Sequence, residues 1–272
     1  NPPYQYAIIS GFKKLWEAKE KNDKINWEET WTKLYDFIAT LIADDAFWTE
    51  PPNEKGGMTP NQKWILSLIP DFIRSGTKDE HPLPIPLNLK MWDLLHVLLK
   101  KIPPEAVSGG SDAMNWASNT HRGRVIEAIF SLALRICRVS DKQDGNHDTA
   151  WKMMEPLFDE EVEKCKGDNL QFSTLAAAYS ANIEYLSKEW LEKNFDKIFP
   201  KNYPNNFSCA INGLAYAHAT KFIYSLLIKS EVMERALTQK VDDNDTSLEK
   251  TVERIGLAYF WGMEELDSPR FK

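Results

Sequence analysis

Histidine, cysteine and paired carboxylates are the side chains that most often carry chemistry, and in this sequence they are scattered. A zinc hydrolase needs two histidines one helical turn apart with a glutamate between them, whereas His81, His96, His121, His147 and His218 stand alone. His96 falls beside Leu95 in an apolar stripe and His218 follows Tyr216-Ala217, so both read as partly buried, hydrogen-bonded residues rather than ligands. Cys137, Cys165 and Cys209 are odd in number and lack CxxC spacing, which suggests neither a disulfide framework nor a zinc site and fits a reducing cytoplasm. Asp242-Asp243-Asn244-Asp245 with Glu253 has the flavour of a calcium loop, but Ser247 occupies the position that needs glycine. Glu160, Glu161 and Glu163 read as the solvated face of a short helix. Gly56-Gly57 and Gly109-Gly110 lack the lysine and preceding strand of a phosphate loop and read as turns. With no nucleophile–base signature along the chain, the expectation is a protein without catalysis, metal or cofactor.

The elements that position these residues are helices. Trp31, Leu34, Tyr35, Ile38, Leu41 and Ile42 recur at helical spacing behind an Asn26 cap with Glu29 in the reciprocal position. Trp64, Leu68, Phe72 and Ile65, Ile69 form a second stripe, for which Thr59 reads as the cap, Pro60 as the first helical residue, Gln62 as the closer of a capping box and Gly76 as the stop. Further stripes comprise Met91, Leu94, Leu95, Leu98 and Ile102, then Ile126, Ile129, Ala133 and Ile136. Leu248, Val252, Ile255 and Tyr259 make a last one behind a Thr246–Glu249 capping box. The periodicity predicts about ten to thirteen helices and no alternating strand pattern. The predicted fold is all-α, a single helical-repeat domain over residues 1–272 built of stacked antiparallel hairpins in an irregular α-solenoid of the TPR or HEAT kind. A compact bundle of the same helices satisfies the same pattern, and the polar stretch 140–148 marks a soft boundary.

The chain has 272 residues with 43% hydrophobic content and ten tryptophans, a folding composition. A net charge of −7 argues against broad binding to nucleic acid. No apolar run approaches the ~20 residues of a membrane span. The start at Asn1-Pro2-Pro3 is neither a signal peptide nor a methionine, which suggests a fragment of a longer chain. The sequons at Asn206 and Asn244 read as chance.

One segment stands out. Residues 112–124 read as a short helix ending in a polar turn that runs straight into an amphipathic helix near Val125. Ser118, Asn119 and Thr120 are candidate caps, Arg122 can reach a neighbouring helix's C-terminal carbonyls, and Gly123 permits close packing. Asn119, Arg122 and Gly123 are therefore assigned a structural role.

The same segment carries a resemblance. Ala117-Ser-Asn119-Thr-His-Arg122-Gly123-Arg-Val-Ile-Glu127-Ala128-Ile129 resembles an A-x-N-x-x-R-G-x-x-x-E-A-(L/I) stretch in the C-terminal helical arrays of bacterial antiviral STAND NTPases of the Avs type. Residues 175–191 and the FDKIFP of 195–200 are similar to another passage of those arrays, which also occur on SIR2-type defence proteins. The resemblance covers about the second half of the chain, and residues 1–101 match nothing comparable. It implies a cytoplasmic bacterial sensor that grips a phage structural protein, such as terminase or portal. A neighbouring NTPase in the parent chain would then oligomerise and activate an effector. The family has no fixed contact motif to carry over. A helical scaffold that assembles a larger complex is the alternative reading.

Overall fold

The computed structural model describes residues 1–18, 24–49, 59–80, 82–105, 112–238, 247–268 and 270. Among them are fifteen α-helices and one 3-10 turn and no strand, so the chain is all-α. The excess over the ten to thirteen read from periodicity comes from helices of five to seven residues, too short to display a stripe. His81, both glycine pairs, the 242–245 acidic run, the Asn244 sequon and Thr246 lie outside the described residues.

The chain divides into two compact units, Asn1–Pro103 with Thr120–His147, and Pro104–Asn119 with Asp148–Lys272. In the first, α7 (His121–Asp144) packs against α4 (Gln62–Ser75) and α5 (Asn88–Lys101), α1 (Pro2–Trp16) packs on α4, and α2 (Trp27–Ala43) packs on α3 (Asp45–Thr49) and α5. The C-terminus of α5 meets the N-terminus of α7, so these two are antiparallel. Ser67, Asp71 and Arg74 of α4 meet His121, Arg124 and Glu127 of α7 in the same order, so α4 runs parallel to α7, as first helices of successive hairpins do in a stacked array. An aromatic cluster fills the α1–α2–α4 side, with Trp31 stacked on Phe72 at 4.2 Å and edge-on to Phe12 and Trp16. Gly76 makes room for it, because a Cβ there would lie 2.9 Å from the Trp31 ring.

Local signals fix several boundaries. Asn26 caps α2, accepting from the Glu29 N–H at 3.2 Å. The α4 cap differs from expectation: Asn61, not Thr59, accepts from the Trp64 N–H at 3.4 Å, and the Gln62 amide reaches the Phe47 carbonyl instead of closing a box. Gly76 is the C-cap.

In the second unit, α9 (Leu170–Ala178) is the interior element. Gln171, Phe172, Ser173, Thr174, Leu175, Ala176 and Ala177 are all buried, so a helix small and uncharged on every side is packed on every side. It packs against α6 (Ala113–Asn119), α8 (Asp148–Glu163) and α12 (Pro204–Leu214), and Gly213 of α12 marks the closest approach. The helices α10 (Ser180–Leu186) and α11 (Lys188–Ile198) also touch α9, and the unit is completed by α13 (Lys221–Lys229), α14 (Val232–Thr238) and α15 (Ser247–Phe260).

Two stripes read as buried are only partly so. Trp64 is 41% exposed because α1 covers only one edge of it, through Tyr6. On α15, Ile255 is buried but Leu248, Val252 and Tyr259 are 39%, 54% and 40% exposed. The face that packs on the neighbouring helices is Thr251, Arg254, Ile255 and Ala258.

Candidate functional site

The segment singled out in sequence holds the start of α7. Thr120 is the N-cap, its hydroxyl accepting from the Gly123 N–H at 3.0 Å, and Gly123 is buried. Asn119 is exposed and turns back along its own helix, donating to the Asn115 carbonyl at 2.8 Å. Arg122 is 2% exposed and donates to the carbonyls of Leu99 and Ile102 at 2.7 and 2.6 Å. The last carbonyls of a helix have no partner within it and carry the negative end of its dipole, so a buried guanidinium there is both a cap and a counter-charge. The device recurs. Arg254 donates to Leu214 and Ala217 at the end of α12, and Arg235 to Phe199 and Pro200 after α11. Arg138 donates to Thr77 after α4. In the first and second cases the accepting carbonyls are three residues apart and both take their hydrogen bond from one guanidinium nitrogen, Nη1 of Arg122 and Nη2 of Arg254.

One turn along α7 the chain opens into a recess of about 410 Å³. Three elements build it. Lys63, Ser67 and Asp71 stand four residues apart on one face of α4, His121 and Arg124 share a face of the first turn of α7, and α1 contributes Tyr6. Trp64 closes one side, edge-on to Tyr6 at 5.7 Å between ring centroids. Asp71 and Arg124 form a half-buried ion pair at 2.5 Å, and Arg74 and Glu127 repeat it one turn further at 2.7 Å with the charges exchanged. The Ser67 hydroxyl and His121 Nδ1 are 3.0 Å apart. Lys63, Trp64 and Tyr6 line the recess together, a combination of residue types suited to gripping an anionic or aromatic side chain.

Sequence reading treated His121 as isolated and missed this recess. Its partners lie more than fifty residues away on α4, and no local spacing links them. The other candidates are structural or superficial. His218 is exposed, correcting its reading as partly buried, and His147 bonds Asp141 at 2.8 Å. The 160–163 acidic run is not uniformly solvated. Glu161 is 2% exposed and takes hydrogen bonds from Lys164 at 2.7 Å and from Asn169 at 2.8 Å. Asn169 holds a left-handed backbone at φ 51°, a conformation asparagine tolerates, and bridges α8 to α9. Glu163 faces solvent, and hydrogen bonds from Lys166 and Lys197 hold its carboxyl near 2. Cys137, Cys165 and Cys209 are free thiols, all buried. Burial pushes Cys137 up to about 12 and Cys209 to about 11. Among the described residues no group of three or more His, Cys, Asp or Glu is placed to hold a metal, and no helix is long and apolar enough to cross a membrane.

Comparison with protein-family models, with curated proteins and with solved structures gives no match to this chain.

Proposed function

We propose that this chain is a non-catalytic protein-recognition module, the sensor part of a bacterial anti-phage defence protein that binds a phage structural protein such as terminase or portal. The observation that supports recognition is the recess on the first unit. Tyr6, Trp64 and Arg124, residue types that dominate the energetics of protein interfaces, stand together with Lys63 at its mouth. Its volume suits an inserted anchor side chain. The antiviral assignment rests on the resemblance in residues 117–129 and 175–200, and with it come the bacterial cytoplasm and a parent chain that carries the NTPase and effector. Nucleic acid is not the intended partner on this reading, because the net charge of −7 repels phosphate backbones.

The test is affinity capture of the tagged chain from cells before and during phage infection, in parallel with Trp64→Ala. A virion or packaging protein that is enriched only after infection and lost with Trp64→Ala supports the reading. Recovery of the same host proteins from both samples assigns the chain to the scaffold role instead.

A further inference from the structure

Two helices carry apolar faces that stay exposed among the described residues. On α1 the residues turned to solvent are Tyr4, Ala7, Ile8, Gly11, Lys14 and Leu15, at helical spacing and apolar except for one lysine. Tyr4 is 73%, Ile8 51% and Leu15 44% exposed, while the opposite face buries Ile9 and Trp16. On α15 the solvent side carries Leu248, Val252, Gly256 and Tyr259, flanked by Phe260 at 83% exposure. A helix apolar on two sides is normally covered on both.

The two faces match each other. They have nearly the same length, 15 and 14 residues, or about 22 Å at the α-helical rise. Each has one glycine within its apolar row, Gly11 and Gly256, and a Cβ built at either meets nothing within 4 Å. Small residues at such points let two helices approach closely. Their charges are opposite. The charged side chains of α1 are Lys13, paired with Glu17 just after the helix, and Lys14, which has no ion pair among the described residues, whereas the exposed flank of α15 and the turn after it carry Glu249, Glu253, Glu265 and Asp267. Lys250, bonded to Glu253, offsets part of that charge.

We infer that α1 of one copy of this chain packs on α15 of a second copy, through Ile8 and Leu15 against Val252 and Tyr259, with Lys14 facing Glu249 and Glu253. The contact joins two different surfaces and is therefore heterologous. A single helix-on-helix face is smaller than the ~800 Å² per partner of a standard interface, so the pairing is weak and transient. This surface is separate from the recess, and the inference does not depend on the sensor reading.

Sedimentation velocity of the purified full chain over a concentration series tests it, with Ile8→Glu on α1 and Val252→Glu on α15. Both positions are more than half exposed, so the variants keep the wild-type helical circular dichroism. Wild type self-associates, and each variant alone associates at least tenfold more weakly. An equimolar mixture of the two recovers a 1:1 complex and nothing larger, because the intact α1 of one variant meets the intact α15 of the other. The inference is overturned if wild type stays monomeric throughout, if either variant associates like wild type, or if the mixture associates no better than its components.

Discussion

Replacing Gly213 with alanine puts the closest helix contact of the second unit to a direct test. Gly213 lies on α12, where a Cβ would overlap the Thr174 carbonyl oxygen of α9 and stand 2.8 Å from its carbonyl carbon and 3.1 Å from its Cα. Non-bonded heavy atoms in good contact sit about 3.5–4.0 Å apart, and relieving the overlap with the carbonyl oxygen alone requires the helices to separate by more than ~1 Å. The obstacle is backbone, and it belongs to a helix packed on all sides, so no side chain can rotate to absorb it. Overpacking costs typically ~1–3 kcal/mol, and a backbone obstacle belongs at the top of that range. Alanine returns about 1 kcal/mol through helix propensity, which leaves a net loss of ~2 kcal/mol or more. Gly11→Ala and Gly256→Ala supply the control, because their methyls enter open space. Each should gain ~0.5–1 kcal/mol from propensity and reduced unfolded-state entropy. Thermal and guanidinium unfolding followed by circular dichroism reads all three. A Gly213→Ala variant as stable as wild type, or one that shifts in the same direction as Gly11→Ala, refutes the close-approach argument.

Three further outcomes follow from the structure. Arg122→Met strands the carbonyls of Leu99 and Ile102 in a buried setting and should cost ~2–4 kcal/mol in chemical denaturation, with Arg122→Lys recovering only part because an ammonium is more strongly hydrated than a guanidinium and costs more to bury; equal stability of Arg122→Met and wild type would falsify the capping role. Glu163 is held below its ordinary 4.5, chiefly by the hydrogen bond from Lys166 and next by that from Lys197, so its contribution is present above pH 4.5 and disappears as pH falls to about 2. The Glu163→Gln variant should accordingly show a shallower loss of stability than wild type across that window in an acid titration, and identical profiles would remove the claim. The buried thiols, with Cys137 near 12 and Cys209 near 11, should resist a disulfide reagent at pH 8 in the native state and react after unfolding, so rapid native labelling of either contradicts their burial.

How much of this was legible in the sequence depends on the range of the interaction involved. The helical class, the Asn26 cap, the Gly76 stop and most buried stripes are set by neighbours within one or two turns, and residue spacing records those directly. For α7 the sequence offered three adjacent caps, Ser118, Asn119 and Thr120, and an amphipathic pattern from near Val125; Thr120 is the cap and the helix begins at His121. Which face of α15 is covered was not readable, because Val252 and Ile255 are equally apolar and only the placement of the packing helices separates them. The same holds for Trp64, which local periodicity assigns to the core and which α1 leaves partly open as the wall of a recess. Ser67 with His121, Asp71 with Arg124, and Gly213 against Thr174 are pairings between helices distant in sequence. A single chain carries no record of such pairings until it folds. The sequence by itself therefore determined that this protein is helical, where many of its helices start and stop, and that its residues offer no local catalytic pattern. The tertiary structure decided which apolar faces remain in solvent and where aromatic and charged groups converge, because both depend on how helices far apart in sequence pack against one another.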